Sequence, residues 1–135
     1  MLVVNLGGQI ADSGPVSMDD NGTEIAMAWK AEPGSAAGTF RYYAECVDKV
    51  NGEIAPTPEG TLGLIHKEAV GVVAAIVPWN FPLIMTCWKL GPALSTGNSV
   101  IVKPSEKSPL TAIRLAQLAL EIGRASCRER VSSPV

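Results

Sequence analysis

Apolar positions in the middle of the chain follow two alternating periods. Gly71 to Val77 reads G-V-V-A-A-I-V, a continuous run rich in β-branched residues and closed by Pro78. A strand buried on both faces has that pattern. Phe81 to Leu94 is longer and apolar at helical spacing, with Leu83, Trp88 and Leu94 among its anchors. Gly97-Asn98 punctuates, and Val100-Ile101-Val102 predicts a second short buried strand that Lys103-Pro104 ends. Ser108-Pro109 opens another helix, with Ser108 as cap and Pro109 at its first position. Leu110, Ile113, Leu115, Leu118 and Leu120 give that helix a broad apolar face to pack on the sheet. The order β-α-β-α from Gly71 to Ile122 predicts an α/β fold with parallel strands and a right-handed connection.

Upstream the pattern weakens. Ala36 to Asn51 is predicted helical, because Phe40, Tyr43, Val47 and Val50 recur at helical spacing and Gly52 supplies a stop. Pro56 to Gly60 reads as a loop. Leu62 to Ala69 alternates loosely, as a strand does, with His66 in solvent. Met1 to Leu6 fits a short strand or the end of a helix, and Gly14-Pro15 and Asp19 to Gly22 are turn-rich. Ala26 to Ala31 is a short apolar patch that Glu32-Pro33-Gly34-Ser35 breaks, so no single conformation is predicted before Ser35.

Composition narrows the function classes. At 135 residues the chain has the length of one domain, and its 47% hydrophobic and 18% charged content suits a globular interior. The net charge is −2 without a basic cluster, which argues against nucleic acid as a partner. The longest apolar run is interrupted by Pro78 and is too short to span a bilayer. No charged start precedes a long apolar core, so no secretory signal is expected and a cytoplasmic location is. Cys46, Cys87 and Cys127 are odd in number and widely spaced, and His66 stands alone, so no metal site is expected. Cys46 and Cys87 sit in apolar helical stretches, which favours buried packing over reactivity.

The candidate chemistry lies at the strand ends. Ligands of a parallel sheet gather at the carboxyl ends of its strands. Pro78-Trp79-Asn80-Phe81-Pro82 stands at one such end and Lys103-Pro104-Ser105-Glu106 at the next. Two polar clusters at adjacent ends are what a shared nucleotide site needs. A rigid turn and an ordinary helix approach would give the same two patterns.

These segments resemble the aldehyde dehydrogenase superfamily, whose signature includes P-W-N-F-P followed by K-P-S-E. C-W-K-L-G-P-A-L at Cys87 to Leu94 and G-N-S-V at Gly97 to Val100 fit in order and spacing, and the likeness is close from about Arg41 to Ile122. Within the superfamily, Y-A-E-C-V-D-K-V at Tyr43 to Val50 is most similar to the γ-glutamyl-γ-aminobutyraldehyde dehydrogenase group. The resemblance implies part of a Rossmann-like nucleotide-binding domain over residues 36–122. Residues 1–35 form a less legible segment. Residues 123–135 depart abruptly from the family and read as a non-native tail.

The resemblance also implies a mechanism, in which a cysteine thiolate attacks an aldehyde, hydride passes to NAD(P)+ and water releases the acid. Asn80 matches the amide donor to the developing alkoxide. Val77, Pro78 and Trp79 match contacts to the cofactor. Lys103 and Glu106, within Lys103-Pro104-Ser105-Glu106, match the pair on the adenosine ribose hydroxyls. A carboxylate there favours NAD, with NADP possible. Lys89 matches a lysine assigned to proton handling, while its bare pattern is a helix-surface charge. The segment near Leu62 to Ala69 contributes to subunit association in the family, so the full-length enzyme is expected to be a homo-oligomer acting on a small aldehyde. The family nucleophile, its glutamate base and the later glycine-rich loop have no counterpart here. The chain is therefore expected to be a fragment that is inactive alone. A stand-alone nucleotide-binding module and a non-catalytic partner subunit are the alternatives.

Overall fold

The computed structural model describes residues 22–121 of the 135. The readings made for residues 1–21 and 122–135, Cys127 among them, lie outside the described residues.

A π-helical turn, Met27–Ala31, runs directly into helix α1 (Glu32–Glu45). The segment that reads as a break is thus the first turn of a helix. Pro33 has a helical φ but no N–H, and it directly follows the π turn, whose last bond runs from Glu32 N–H to the Met27 carbonyl, so the helix passes the proline through a widened turn. At the other end, Cys46 N–H donates to the Tyr43 carbonyl at 3.2 Å, and the tightened turn closes the helix before Asn51. Val47 and Val50, expected on its apolar face, fall beyond it and are exposed.

Two short strands come next, β1 (Glu53–Ala55) and β2 (Gly63–Ile65), paired antiparallel with Ile54 opposite Leu64. The strand expected from Leu62 to Ala69 is confined to β2, and β1 carries no sequence signal of its own. His66 is exposed and lies 3.0 Å from Glu68.

The α/β unit completes the described chain. β3 (Val72–Ile76), helix α2 (Pro82–Ser95), β4 (Ser99–Lys103) and helix α3 (Leu110–Glu121) reproduce the predicted order. β3 and β4 are parallel, with Val72 opposite Ser99 and Ile76 opposite Lys103. Asn98 fastens the entry to both strands. Its side chain accepts from Gly71 N–H at 3.0 Å and donates to the Ala93 carbonyl at 3.1 Å. Gly71 and Gly97 both take positive φ at these turns, where a side chain would be strained.

The strands are not buried on both faces. Val73, Ala75 and Val77 face the helices, whereas Val72 and Ile76 are 66% and 76% exposed. Among the described residues the helices cover only one face of the pair. The core lies where the three helices meet, at Ala36 and Phe40 of α1, Leu83 and Cys87 of α2, and Leu115 and Leu118 of α3. Each large apolar side chain so buried contributes about 1.5–3 kcal/mol of transfer free energy. Two predicted anchors of α2, Trp88 and Leu94, are about half exposed, because Leu83, Thr86, Cys87 and Gly91 form the inward stripe. α3 packs mainly on α2 through Thr111, Ala112, Leu115 and Leu118, leaving Leu110 and Leu120 half exposed. No helix among the described residues is long and apolar enough to cross a membrane.

Candidate functional site

Two loops leave the carboxyl ends of β3 and β4 side by side. The parallel ladder has a last rung beyond Ile76, in which Val77 N–H donates to the Lys103 carbonyl at 3.0 Å. Val77 is buried, and Pro78, Trp79 and Asn80 emerge into solvent immediately after it. The sequence places both polar clusters correctly at neighbouring strand ends, and this bond fixes their relation.

The first loop then turns sharply. Phe81 adopts φ 52°, ψ 53°, the left-handed region, and serves as the N-terminal cap position of α2. A bulky residue rarely sits there, and it costs of order 1–3 kcal/mol. Pro82 disfavours the right-handed helical region for the residue before it, so the chain cannot enter the helix smoothly. Asn80 is thereby held on a strained corner between two prolines. The helix start is anchored from within, since buried Thr86 donates its hydroxyl to the Pro82 carbonyl at 2.7 Å.

The second loop is a tight turn. Ser105 Oγ accepts from Lys107 N–H at 3.3 Å, and the Ser105 carbonyl accepts from Ser108 N–H at 3.2 Å. Pro104 and Ser105 are half-buried, while Lys103 and Glu106 point outward and form an ion pair. The hydrogen bond from Lys103, supported by Glu106's own backbone N–H and by the lysine charge, holds the Glu106 carboxyl below its ordinary value. Glu106 therefore keeps its charge through the weakly acidic range. An exposed carboxylate beside an ammonium offers acceptors and donors together, which is the donor set a vicinal diol requires.

Two contacts join the loops from the far side. The Ser108 hydroxyl donates to the Trp79 carbonyl at 3.0 Å, and the Lys107 ammonium lies 6.0 Å from the centre of the Trp79 ring. α3 begins at Leu110, with the Pro109 carbonyl accepting from Ile113 N–H at 3.0 Å, so the cap position falls on Pro109 and Ser108, the expected cap, stands one place before it.

A hollow of about 220 Å³ opens at the start of α2, lined by Ser35, Phe81, Ile84, Met85 and Trp88. None of these was singled out as a site residue by sequence. A signal was available, since α2 is apolar on the face opposite its core stripe as well, and a helix apolar all round has a second face to account for. Lys89 is exposed and borders a wider open groove with Thr39, Tyr42, Tyr43 and Trp88. Cys87 is fully buried, and desolvation pushes its thiol up to about 12. Cys46 is half-buried at the end of α1, more open than expected. Among the described residues no three metal-ligating side chains cluster.

The sequence model of the aldehyde dehydrogenase family matches residues 11–125. NADP/NAD-dependent aldehyde dehydrogenase PuuC of Escherichia coli (strain K12) is 61% identical over 104 residues, which are 77% of this chain and 21% of that protein. The crystal structure of γ-glutamyl-γ-aminobutyraldehyde dehydrogenase from Burkholderia cenocepacia J2315 superposes with a TM-score of 0.84 at 47% identity, covering 91% of this chain and 25% of that one. Indole-3-acetaldehyde dehydrogenase complexed with NAD+ superposes with a TM-score of 0.84 at 50% identity, covering 90% of this chain and 26% of that one. The chain thus spans about a fifth to a quarter of the length of these relatives.

Proposed function

The chain belongs to the aldehyde dehydrogenase family, and from that premise we propose that it is the nucleotide-binding segment of an NAD-dependent enzyme that oxidises an aldehyde to a carboxylic acid. The observation that carries this reading is the pairing of the loops at the ends of β3 and β4 through Val77 and Lys103. It supports reading Lys103 and Glu106 as a diol-binding pair on one loop and Asn80 as a neutral amide donor on the adjacent one.

Glu106 accepts from the adenosine ribose hydroxyls and Lys103 donates to them. Pro78 and Trp79, exposed just after buried Val77, wall the nucleotide. A carboxylate at Glu106 repels a 2′-phosphate, so NAD is preferred and NADP is a poorer second cofactor. NAD, when bound, accepts the hydride that leaves the aldehyde carbon. Asn80 donates its amide N–H to the oxygen that gains charge as the aldehyde is attacked. An amide suits this work because it donates without titrating. The apolar hollow of Phe81, Ile84, Met85 and Trp88 seats the aldehyde's apolar part.

Cys87 does not serve as the attacking thiolate, because it is buried and its thiol is pushed up to about 12. The nucleophile comes from a part of the enzyme that this chain lacks, and the 135-residue chain by itself turns over no aldehyde. The full-length enzyme is a cytoplasmic homo-oligomer. The 61% identity to the Escherichia coli enzyme and the likeness to the Burkholderia structure favour a γ-glutamyl-γ-aminobutyraldehyde-like substrate.

Equilibrium binding and steady-state kinetics on the full-length enzyme test the two roles together. Glu106→Gln keeps the shape and removes the charge. A hydrogen bond to a charged group is worth about 1.5–3 kcal/mol, so the NAD Kd should rise about tenfold or more while NADP suffers less. Asn80→Ala should leave NAD binding nearly intact and lower kcat by about 10²–10³-fold. If Glu106→Gln leaves the NAD-to-NADP preference unchanged, the ribose assignment is wrong.

A further inference from the structure

Ser108 touches neither the ribose pair nor the aldehyde hollow, yet it is fully buried and spends its hydroxyl hydrogen on a carbonyl 29 residues away. That carbonyl belongs to Trp79, and the peptide unit it heads is the one that leads into Asn80. Because a peptide unit is planar, pinning its oxygen also fixes the direction of the Asn80 N–H and the plane from which the Asn80 side chain departs. On the other side of Asn80 the chain is held by the left-handed Phe81 and by Pro82, whose carbonyl is gripped by buried Thr86. Asn80 is exposed and sits between these two clamps.

Resting on the assignment of Asn80 as alkoxide donor, we propose that Ser108 is a positioning residue: its buried hydroxyl holds the Trp79 carbonyl and so aims the Asn80 amide at the reacting oxygen. The Glu106 loop does not need this bond for its own shape. Its turn is closed by Lys107 N–H on Ser105 Oγ and Ser108 N–H on the Ser105 carbonyl, and both survive loss of the Ser108 hydroxyl. Lys103 is tied independently by the last ladder rung from Val77. Removing the hydroxyl should therefore be felt in turnover more than in cofactor affinity.

The experiment compares Ser108→Ala, Ser108→Cys and Ser108→Thr in the full-length enzyme, reading kcat, the NAD Kd, the thermal midpoint and amide exchange at Asn80 and Phe81. Ser108→Ala should lower kcat about tenfold and no more than about 10²-fold, the scale of a small misplacement near the chemistry. Its NAD Kd should stay close to wild type, and exchange at Asn80 and Phe81 should quicken. Ser108→Cys, a weak donor of similar size, should fall between, and Ser108→Thr should restore kcat by restoring the hydroxyl. A Ser108→Ala enzyme with wild-type kcat overturns the proposal. So does a loss that follows a lowered thermal midpoint and is not restored by Thr. Asn80→Ala run in parallel separates the two layers. If it leaves kcat intact, the alkoxide assignment fails and the proposal with it; if it lowers kcat and Ser108→Ala does not, only the positioning role fails.

Discussion

At the scale of single residues, position in the fold decides chemistry more than residue type does. Cys46 and Cys87 look alike in sequence, each in an apolar helical stretch. The structure leaves Cys46 half-buried at a helix end and seals Cys87 against Phe40, Leu83 and Leu115. Burial penalises the thiolate, which pushes the Cys87 thiol from 9.0 to about 12. Alkylation of the native chain at pH 8, followed by peptide mapping, should modify Cys46 and spare Cys87 until urea is added; equal rates at the two would contradict the burial. The sign of the pH effect comes from the raised value. Between about pH 9 and 12 the unfolded chain gives up the Cys87 proton and the folded chain keeps it, so the contribution to stability is whole below pH 9 and is lost across that window. Cys87→Ala should flatten this part of the alkaline decline. Glu106 behaves in the opposite sense, its lowered carboxyl losing its contribution only as acid is added below the ordinary carboxylate range. That pair is exposed, so it is worth little to stability and its value lies in what it binds.

Between elements, the approach of α1 to α2 depends on a missing side chain. A Cβ built on Gly91 would lie 2.5 Å from Cδ2 and 3.2 Å from Cγ of Tyr43. Those ring atoms are near the root of a stiff side chain and cannot swing aside. Gly91→Ala should gain about 1 kcal/mol of helix propensity but lose about 1–3 kcal/mol to overpacking, a net destabilisation. Gly38→Ala in α1 meets nothing within 4 Å and should stabilise by about 0.5–1 kcal/mol. Urea midpoints of the two variants should move in opposite directions, and a shared direction would show that the helices are not packed as described. The misreading of α1 has a similar physical origin. Proline breaks a regular helix because it has no N–H to offer, but the π turn before Pro33 shifts that bonding, so Glu32-Pro33-Gly34-Ser35 reads as a break until the residues before it are seen to be helical as well.

For the molecule as a whole, the described residues expose much apolar surface. Val72, Ile76 and Ile101 are more than 60% exposed on the open face of the parallel pair, as are Ile54 and Leu64 on the hairpin. Both sheets have two strands, so each strand has an unpaired edge. The 135-residue chain expressed alone should associate as its concentration rises, in sedimentation velocity, and should produce no NADH from small aldehydes. Ile101→Lys should reduce the association by charging the bare face. A monomer at all concentrations with a sharp cooperative melt would contradict the expectation.

The order of strands and helices from Gly71 to Glu121 was legible in the sequence because it depends on local events. A β-branched run favours extended backbone, glycine and asparagine stop it, and helical spacing of apolar residues resumes it. The motifs at the strand ends were legible for the same reason, since a strand that stops at Pro78 or Pro104 must present its next few residues at the carboxyl edge of the sheet. Tertiary structure decided which residues lie across from one another. It chose the inward stripe of α2, setting Leu83 and Cys87 inside and Trp88 outside, although all three are apolar at helical spacing. It left one face of β3 bare, paired β1 with β2 where three residues are too few to show a period, and forced Phe81 into the left-handed region. It also joined Ser108 to Trp79. A hydroxyl's partner 29 residues away leaves no mark on local periodicity, because that contact exists only once packing has brought the two strand ends together.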